Sequence, residues 1–240
     1  MSTFARKIAR PPGPDGAYAT RVSVGTDLAP RLDAVYTAAL ADVLDRHDLR
    51  TQTLPSDLVP LRPGMRLAGP VYPIKGRAAP GADYDASIRT VLEMLGSVPA
   101  GHVSVYESGD RESAHLGELS VTSLKSRGVV GAVIDGGCRD VELIAREGFP
   151  VFSRYTTPQD GTRRWEVVAH GDVEIEIGGV GLRRGDWILA DADGIVVIPA
   201  AVAQDVVAEA EEKVATENEI RVAVRGGASP LDAFERYGTF

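Results

Sequence analysis

The sequence is short of cysteine, of positive charge and of long apolar runs, and each shortage removes a class of protein. Cys138 is the one cysteine in 240 residues, so no intrachain disulfide and no thiolate-held zinc cluster can form. Any bound metal then meets oxygen ligands. Lysine and arginine number 26 against 34 aspartates and glutamates, a formal charge of −8. That balance argues against a nucleic-acid groove or a polybasic membrane contact, and it means that a small anionic ligand needs a local cation. No window approaches the roughly 18 apolar residues of a membrane span. Arg6, Lys7 and Arg10 precede no apolar stretch of the signal-peptide kind, so the reading is a cytoplasmic protein. Histidine is scarce too: His47, His102, His115 and His170 lie in no phospho-acceptor context and read as structural. There is no internal repeat and no low-complexity block.

What is present divides into an arm over residues 1–27, a main domain over 28–227 and a helical tail over 228–240. The arm carries Pro11-Pro12-Gly13-Pro14 and little periodicity. From 32 to 45 apolar residues recur at helical spacing. A strand over 66–73 follows, then a helix opened by Asp83 with Ile88, Val91, Leu92 and Leu95 on one face. A strand over 102–106, a polar loop over 107–112 and a helix over 113–126 come next. Val129 to Ile134 is a continuous apolar run, as a strand buried on both faces should be, and a helix over 141–147 leads to a strand over 150–155. Beyond residue 166 the pattern changes to short strands at 166–169, 172–177, 186–190 and 194–198, separated by glycine-containing turns. Ile177-Gly178-Gly179-Val180-Gly181 lacks the strand-turn-helix setting of a dinucleotide loop and reads as one of these turns. A polar helix over 200–225, a Gly226-Gly227 stop and a helix opened by Ser229-Pro230, with Asp232 placed for a capping box, close the chain.

Two segments carry chemistry. Asp135-Gly136-Gly137-Cys138-Arg139-Asp140 sits where a buried strand ends and a helix begins, the place where open α/β sheets hold ligands. Arginine can clamp a carboxylate and aspartate can hold a hard cation. The same residues also suit a helix cap, Asp140, with Arg139 paired to it on the surface. Gly117-Glu118-Leu119-Ser120 falls inside the helix expected over 113–126, where glycine is costly. Either the helix begins at Gly117 and offers free N–H groups to an anion, or the glycine permits close packing. Cys138 reads as a packed thiol. Arg163-Arg164-Trp165 reads as a solvated loop, with a part in shaping a cleft as the other option.

The ordered set Gly117-Glu118-Leu119, Arg127-Gly128, Gly131, Val133-Ile134-Asp135-Gly136, Arg139-Asp140 and Gly148-Phe149-Pro150-Val151-Phe152 resembles the RraA-like family. That family includes 4-hydroxy-4-methyl-2-oxoglutarate aldolases and a protein regulator of ribonuclease E. Leu67-Ala68-Gly69-Pro70, Gly185-Asp186 and Asp191 to Pro199 support the match. The resemblance implies an α/β protein of the swivelling β/β/α fold, a β-rich core flanked by helices, assembled as a homotrimer or hexamer with sites between subunits. It implies Mg²⁺ or Mn²⁺ on Asp140, Arg139 on the substrate, and Glu118 holding metal-bound water. The N–H groups of Leu119 and Ser120, beside Gly117, would take the carboxylate of a small anionic 2-oxo acid. Glu217 of a neighbouring subunit, ahead of Glu219, would complete the water shell. The implied reaction is cleavage to pyruvate through a metal-stabilised enolate, whether the other product is a carbonyl compound or carbon dioxide. The alternative is a non-catalytic regulator of an RNA-processing enzyme. One stretch departs from the family pattern: Tyr155-Thr156-Thr157-Pro158 runs into a polar loop ending at Trp165, where a short turn is expected.

Overall fold

The computed structural model describes residues 28–240, and the proposed N-terminal arm lies outside them. Helices α1 (Leu28–Leu32) and α2 (Thr37–Arg46) open it, followed by β1 (Val59–Pro60) and the long β2 (Leu67–Ala78). Helices and strands then alternate: α3 (Tyr84–Ser97), β3 (Val103–Glu107), β4 (Ala114–Leu116), α4 (Glu118–Ser126), β5 (Gly131–Cys138), α5 (Val141–Glu147) and β6 (Val151–Thr156). The strand-rich half holds β7 (Trp165–His170), β8 (Ile175–Ile177), β9 (Val180–Leu182), β10 (Trp187–Ala190) and β11 (Ile195–Ile198). Helices α6 (Ala203–Arg225) and α7 (Pro230–Tyr237) end the chain.

Strands β2, β3, β5 and β6 run parallel, and β10 and β11 extend the same sheet antiparallel in the order β1-β6-β5-β3-β2-β10-β11. The bend is built into β2. Along one edge its first residues pair with β10 and its last with β7, across an irregularity between Lys75 and Gly76, so the sheet curls into a half-barrel. Gly76 makes that edge possible, because a Cβ there would lie 2.3 Å from the Trp165 indole. Side chains alternate between faces with the two-residue strand period. Val103, Val105 and Val133 fill the concave side with Ile175, Ile177 and Val180 of the β8–β9 hairpin. Tyr106, Ala132 and Ile134 face outward under α3, α4 and α5. Trp187, Leu189, Val196 and Ile198 make a third core beneath α1, α2 and α6. Both faces of the central strands are therefore buried, which is why they read as unbroken apolar runs. Among the described residues no helix is long and apolar enough to cross a membrane.

Four expectations change. The helix expected over 32–45 is two helices: the Asp191 carboxylate accepts from the Thr37 N–H at 2.9 Å and its hydroxyl at 2.6 Å, starting α2 afresh. The Arg66 guanidinium donates to the carbonyls of Leu32 and Val35 at the break. The strand expected over 66–73 continues to Ala78 because it serves two partners in turn. The one over 172–177 shortens to β8, which forms a hairpin with β9 through Gly178 and Gly179, both at positive φ. The helix expected over 113–126 starts only at Glu118, since residues 114–116 are drawn into a strand beside β5. The last change positions the site.

Candidate active site

Gly117 is the N-cap of α4, and the turn at Arg139-Asp140 leads from β5 into α5. Asp140 has left-handed backbone angles, φ 60 and ψ 33, and its carboxylate makes no cap on its own helix. Instead Oδ2 accepts the backbone N–H of Glu118 at 3.1 Å, so Asp140 caps the neighbouring helix α4. The Arg139 side chain runs alongside, with Nε 3.7 Å from the same oxygen. Its backbone N–H donates to Leu116 O at 3.0 Å, which ties the turn to β4. Gly117 allows this convergence: a Cβ there would stand 2.7 Å from Asp140 Oδ2 and 3.1 Å from Arg139 Nε. Both options raised for Gly117 hold together, since the helix begins there and the glycine admits close packing.

In α4 the Val121 N–H is the first to find its intrahelical acceptor, Gly117 O at 3.1 Å, and that of Glu118 is taken by Asp140. The N–H groups of Leu119 and Ser120 are the orphan donors of the first turn, and both residues line a cleft of about 320 Å³ with Gly117, Arg139 and Asp140. Arg139 and Asp140 keep 37% and 40% of their side chains exposed, open to a ligand yet fixed at their bases. The Glu118 side chain turns toward Thr122, whose hydroxyl donates to Oε1 at 2.9 Å, and does not line the cleft. Glu217 lies on α6, paired with Lys213 and Arg221, and is not brought to this cleft within one chain.

Behind the cleft sits a buried cluster that no motif announced. Asp110 Oδ2 accepts from the Ser113 N–H at 3.0 Å and from His115 Nε2 at 3.0 Å. The Gly137 N–H, which can only donate, points at His115 Nδ1 at 3.1 Å, so the ring is neutral with its proton on Nε2. Burial, the largest influence, pushes the imidazole pKa down against the pull of Asp110. Burial also works against the Asp110 carboxylate, but the bonds from Ser113, His115 and Glu112 outweigh it and hold that group below its usual range. His115 is thus hydrogen-bonded at both ring nitrogens, and it also belongs to the lining of the cleft. Cys138 is buried and its thiol is pushed up to about 12 by desolvation, as a packed thiol should be. A second ionic cluster joins Asp135 to Arg154 and Arg111, and Arg154 to Asp57.

In the loop between β6 and β7, Arg163 and Arg164 are exposed as a solvated loop implies, but Trp165 is not. Trp165 is buried, donates from Nε1 to Ser108 O at 2.7 Å and meets the His115 ring edge-on at 5.0 Å between centroids. Ala114 N donates to Gln159 O at 2.8 Å, fastening the loop to β4. Asp160, Gly161, Thr162 and Trp165 consequently form one wall of the cleft, and Asp160 Oδ1 lies 3.6 Å from the Arg139 guanidinium. Asp160-Gly161 reads locally as a turn signal; its reach across to Arg139 has no trace in the sequence.

Among the described residues no group of three or more histidines, cysteines, aspartates or glutamates converges to hold a metal ion. A cation here would rest on Asp140, with water and substrate supplying the rest. That sparse oxygen set fits Mg²⁺, which keeps several waters and takes one or two carboxylates.

A curled mixed sheet with helices on its outer faces defines a protein of the swivelling β/β/α fold. Residues 37–197 match the RraA-like family, described as Aldolase/RraA, and the chain belongs to that family. It is 28% identical over 209 residues to a Halalkalibacterium halodurans protein named "Putative 4-hydroxy-4-methyl-2-oxoglutarate aldolase", covering 87% of this chain and 93% of that one. Among solved structures it resembles Streptomyces coelicolor RraAS2, titled an unusual member of the RNase ES inhibitor RraA family. There the TM-score is 0.74 at 29% identity, over 82% of this chain and 98% of that one. An uncharacterized protein from Pseudomonas syringae pv. tomato matches with a TM-score of 0.77 at 26% identity, over 87% and 97% of the two chains.

Proposed function

We propose that the protein is a divalent-metal-dependent lyase that releases pyruvate from a small 2-oxo acid by aldol cleavage, decarboxylation or both. The observation that carries this reading is the placement of Asp140 and Arg139 against the open first turn of α4. The Leu119 and Ser120 N–H groups receive the substrate carboxylate, where the helix terminus favours negative charge. Arg139 holds the 2-oxo end where negative charge grows, a fixed stabilisation that costs no reorganisation. Asp140 holds Mg²⁺ or Mn²⁺, which when bound supplies a Lewis acid for the developing charge. Glu118, once its side chain leaves the Thr122 hydroxyl, orders water near the cation, and the partner's Glu217 completes that shell in a homotrimer or hexamer working in the cytoplasm.

The test is pyruvate release over a panel of 2-oxo acids, oxaloacetate included, with Mg²⁺ or Mn²⁺ and after chelation. Activity should vanish on chelation and fall by on the order of a hundredfold or more in Asp140→Asn. Full activity after either treatment removes the proposal. A second reading, a non-catalytic regulator of an RNA-processing enzyme, is supported by the likeness to Streptomyces coelicolor RraAS2 of the RNase ES inhibitor RraA family. It expects binding of such an enzyme with no oxo-acid cleaved, and that binding should survive Asp140→Asn.

A further inference from the structure

The cleft is chemically lopsided. Its Arg139-Asp140 end is charged, while its opposite wall is the apolar face of α3, including Tyr84, Ile88, Val91 and Leu92. Tyr84 is 46% and Leu92 58% exposed, so a ligand lying against them would remove apolar surface from water. Arg139 is the one lysine or arginine lining the cleft among the described residues, against two carboxylates, Asp140 and Asp160. Arg163, on the same loop as Asp160, lies with its guanidinium 5.7 Å from the centroid of the Tyr84 ring and is not part of the lining. A substrate whose first carboxylate and oxo group engage α4 and Arg139 would thus find no second cation among the described residues of the lining for another carboxylate, only the apolar α3 wall, the hydroxyls of Ser87, Ser123 and Thr162, and Asp160. The apolar wall desolvates a charge, the hydroxyls offer it no opposite charge, and Asp160 sets like charges together.

We propose that this cleft selects 2-oxo monocarboxylic acids with an apolar tail, the tail lying on α3 and Asp160 disfavouring dicarboxylic acids. This rests on reading the cleft as a 2-oxo acid site that works by aldol cleavage, since decarboxylation to pyruvate requires a second carboxylate. The volume, about 320 Å³, leaves room beyond a pyruvyl group. Asp160 is a specificity-determining residue in this view: it lies within 3.6 Å of the Arg139 guanidinium and puts a negative charge on the loop wall of the cleft. The loop that carries it is held by Trp165 and by the Ala114 bond, so its position is set before substrate arrives.

The experiment is calorimetric titration of the full chain, loaded with Mg²⁺, with phenylpyruvate and with 2-oxoglutarate. Phenylpyruvate is expected to bind at least about tenfold more tightly, the scale on which an apolar pocket discriminates. Asp160→Asn, at a half-buried position, and Leu92→Arg, at an exposed one, should each narrow that ratio by strengthening 2-oxoglutarate. Equal or tighter binding of 2-oxoglutarate to the unaltered protein, or a ratio that neither variant moves, overturns the selectivity. If a dicarboxylic 2-oxo acid is nonetheless cleaved to pyruvate, the lyase reading stands and only the selectivity falls. If neither probe binds, both fall. An altered assembly size for Leu92→Arg by light scattering, with an unchanged ratio, would assign the α3 face to contact between subunits and also overturn the proposal.

Discussion

A methyl group at position 117 would stand 2.7 Å from Asp140 Oδ2, and what it would displace is the carboxylate that both caps α4 and faces the cleft. Gly117→Ala should therefore leave a folded protein whose pyruvate release falls by on the order of a hundredfold, as small misplacements of reacting groups do. Unchanged kcat/KM would mean that the carboxylate can move without consequence. His115 gives a second residue-scale expectation with a definite sign. Its imidazole is neutral in the fold and its pKa is lowered there, whereas in the unfolded chain it protonates below about 6.5. The unfolded state then binds the extra proton, so stability is unaffected above about pH 6.5 and declines as pH falls below it. Asp110, held below its usual range, adds a separate loss only near and below about pH 4. In His115→Asn, urea midpoints should be lower at pH 8 but flatter between pH 7.5 and 5.5; an unchanged slope would show that His115 does not titrate in this way.

At the scale of elements, the start of α2 depends on a carboxylate from far along the chain. Asp191 takes both the N–H and the hydroxyl of Thr37, so Asp191→Ala should cost about 1–2 kcal/mol in chemical denaturation. Asp191 does not line the cleft, and pyruvate release should be retained at permissive temperature. The same contact shows what the sequence could and could not reveal. Periodicity from Leu32 to Leu44 marks the correct buried face, but the break within it is imposed by Asp191 and Arg66, partners invisible to a local pattern. The parallel strands were legible because burial on both faces leaves them uniformly apolar. Residues 114–116 were not, because three residues preceding a helix carry too little pattern to separate a short strand from an early helical turn. Gly117, Arg139 and Asp140 were legible as an ordered family pattern, and their convergence on one cleft follows from β4 lying beside β5. Asp160 and Trp165 were not, since their approach depends on how the loop packs over His115 and Ser108.

For the whole molecule, the decisive quantity is how little one chain offers a cation. Asp140 stands without the convergent acidic groups of a self-contained metal centre among the described residues, and Glu217 sits on α6 within ion pairs rather than in the cleft. If the proposed trimer supplies Glu217 across a subunit boundary, each site combines Asp140 of one protomer with Glu217 of another. Asp140→Asn and Glu217→Gln proteins should then each be strongly impaired alone. Co-expressed in equal amounts and allowed to assemble at random, they should recover roughly a quarter of intact sites, because each partner is unaltered half of the time. Pyruvate release from the purified mixture, with assembly size from light scattering, reads this directly. No recovery would place both residues in the same chain's site or separate Glu217 from the chemistry, and a fully active Glu217→Gln protein would remove it altogether. Recovery near a quarter can arise only if the site is built from two copies of the chain.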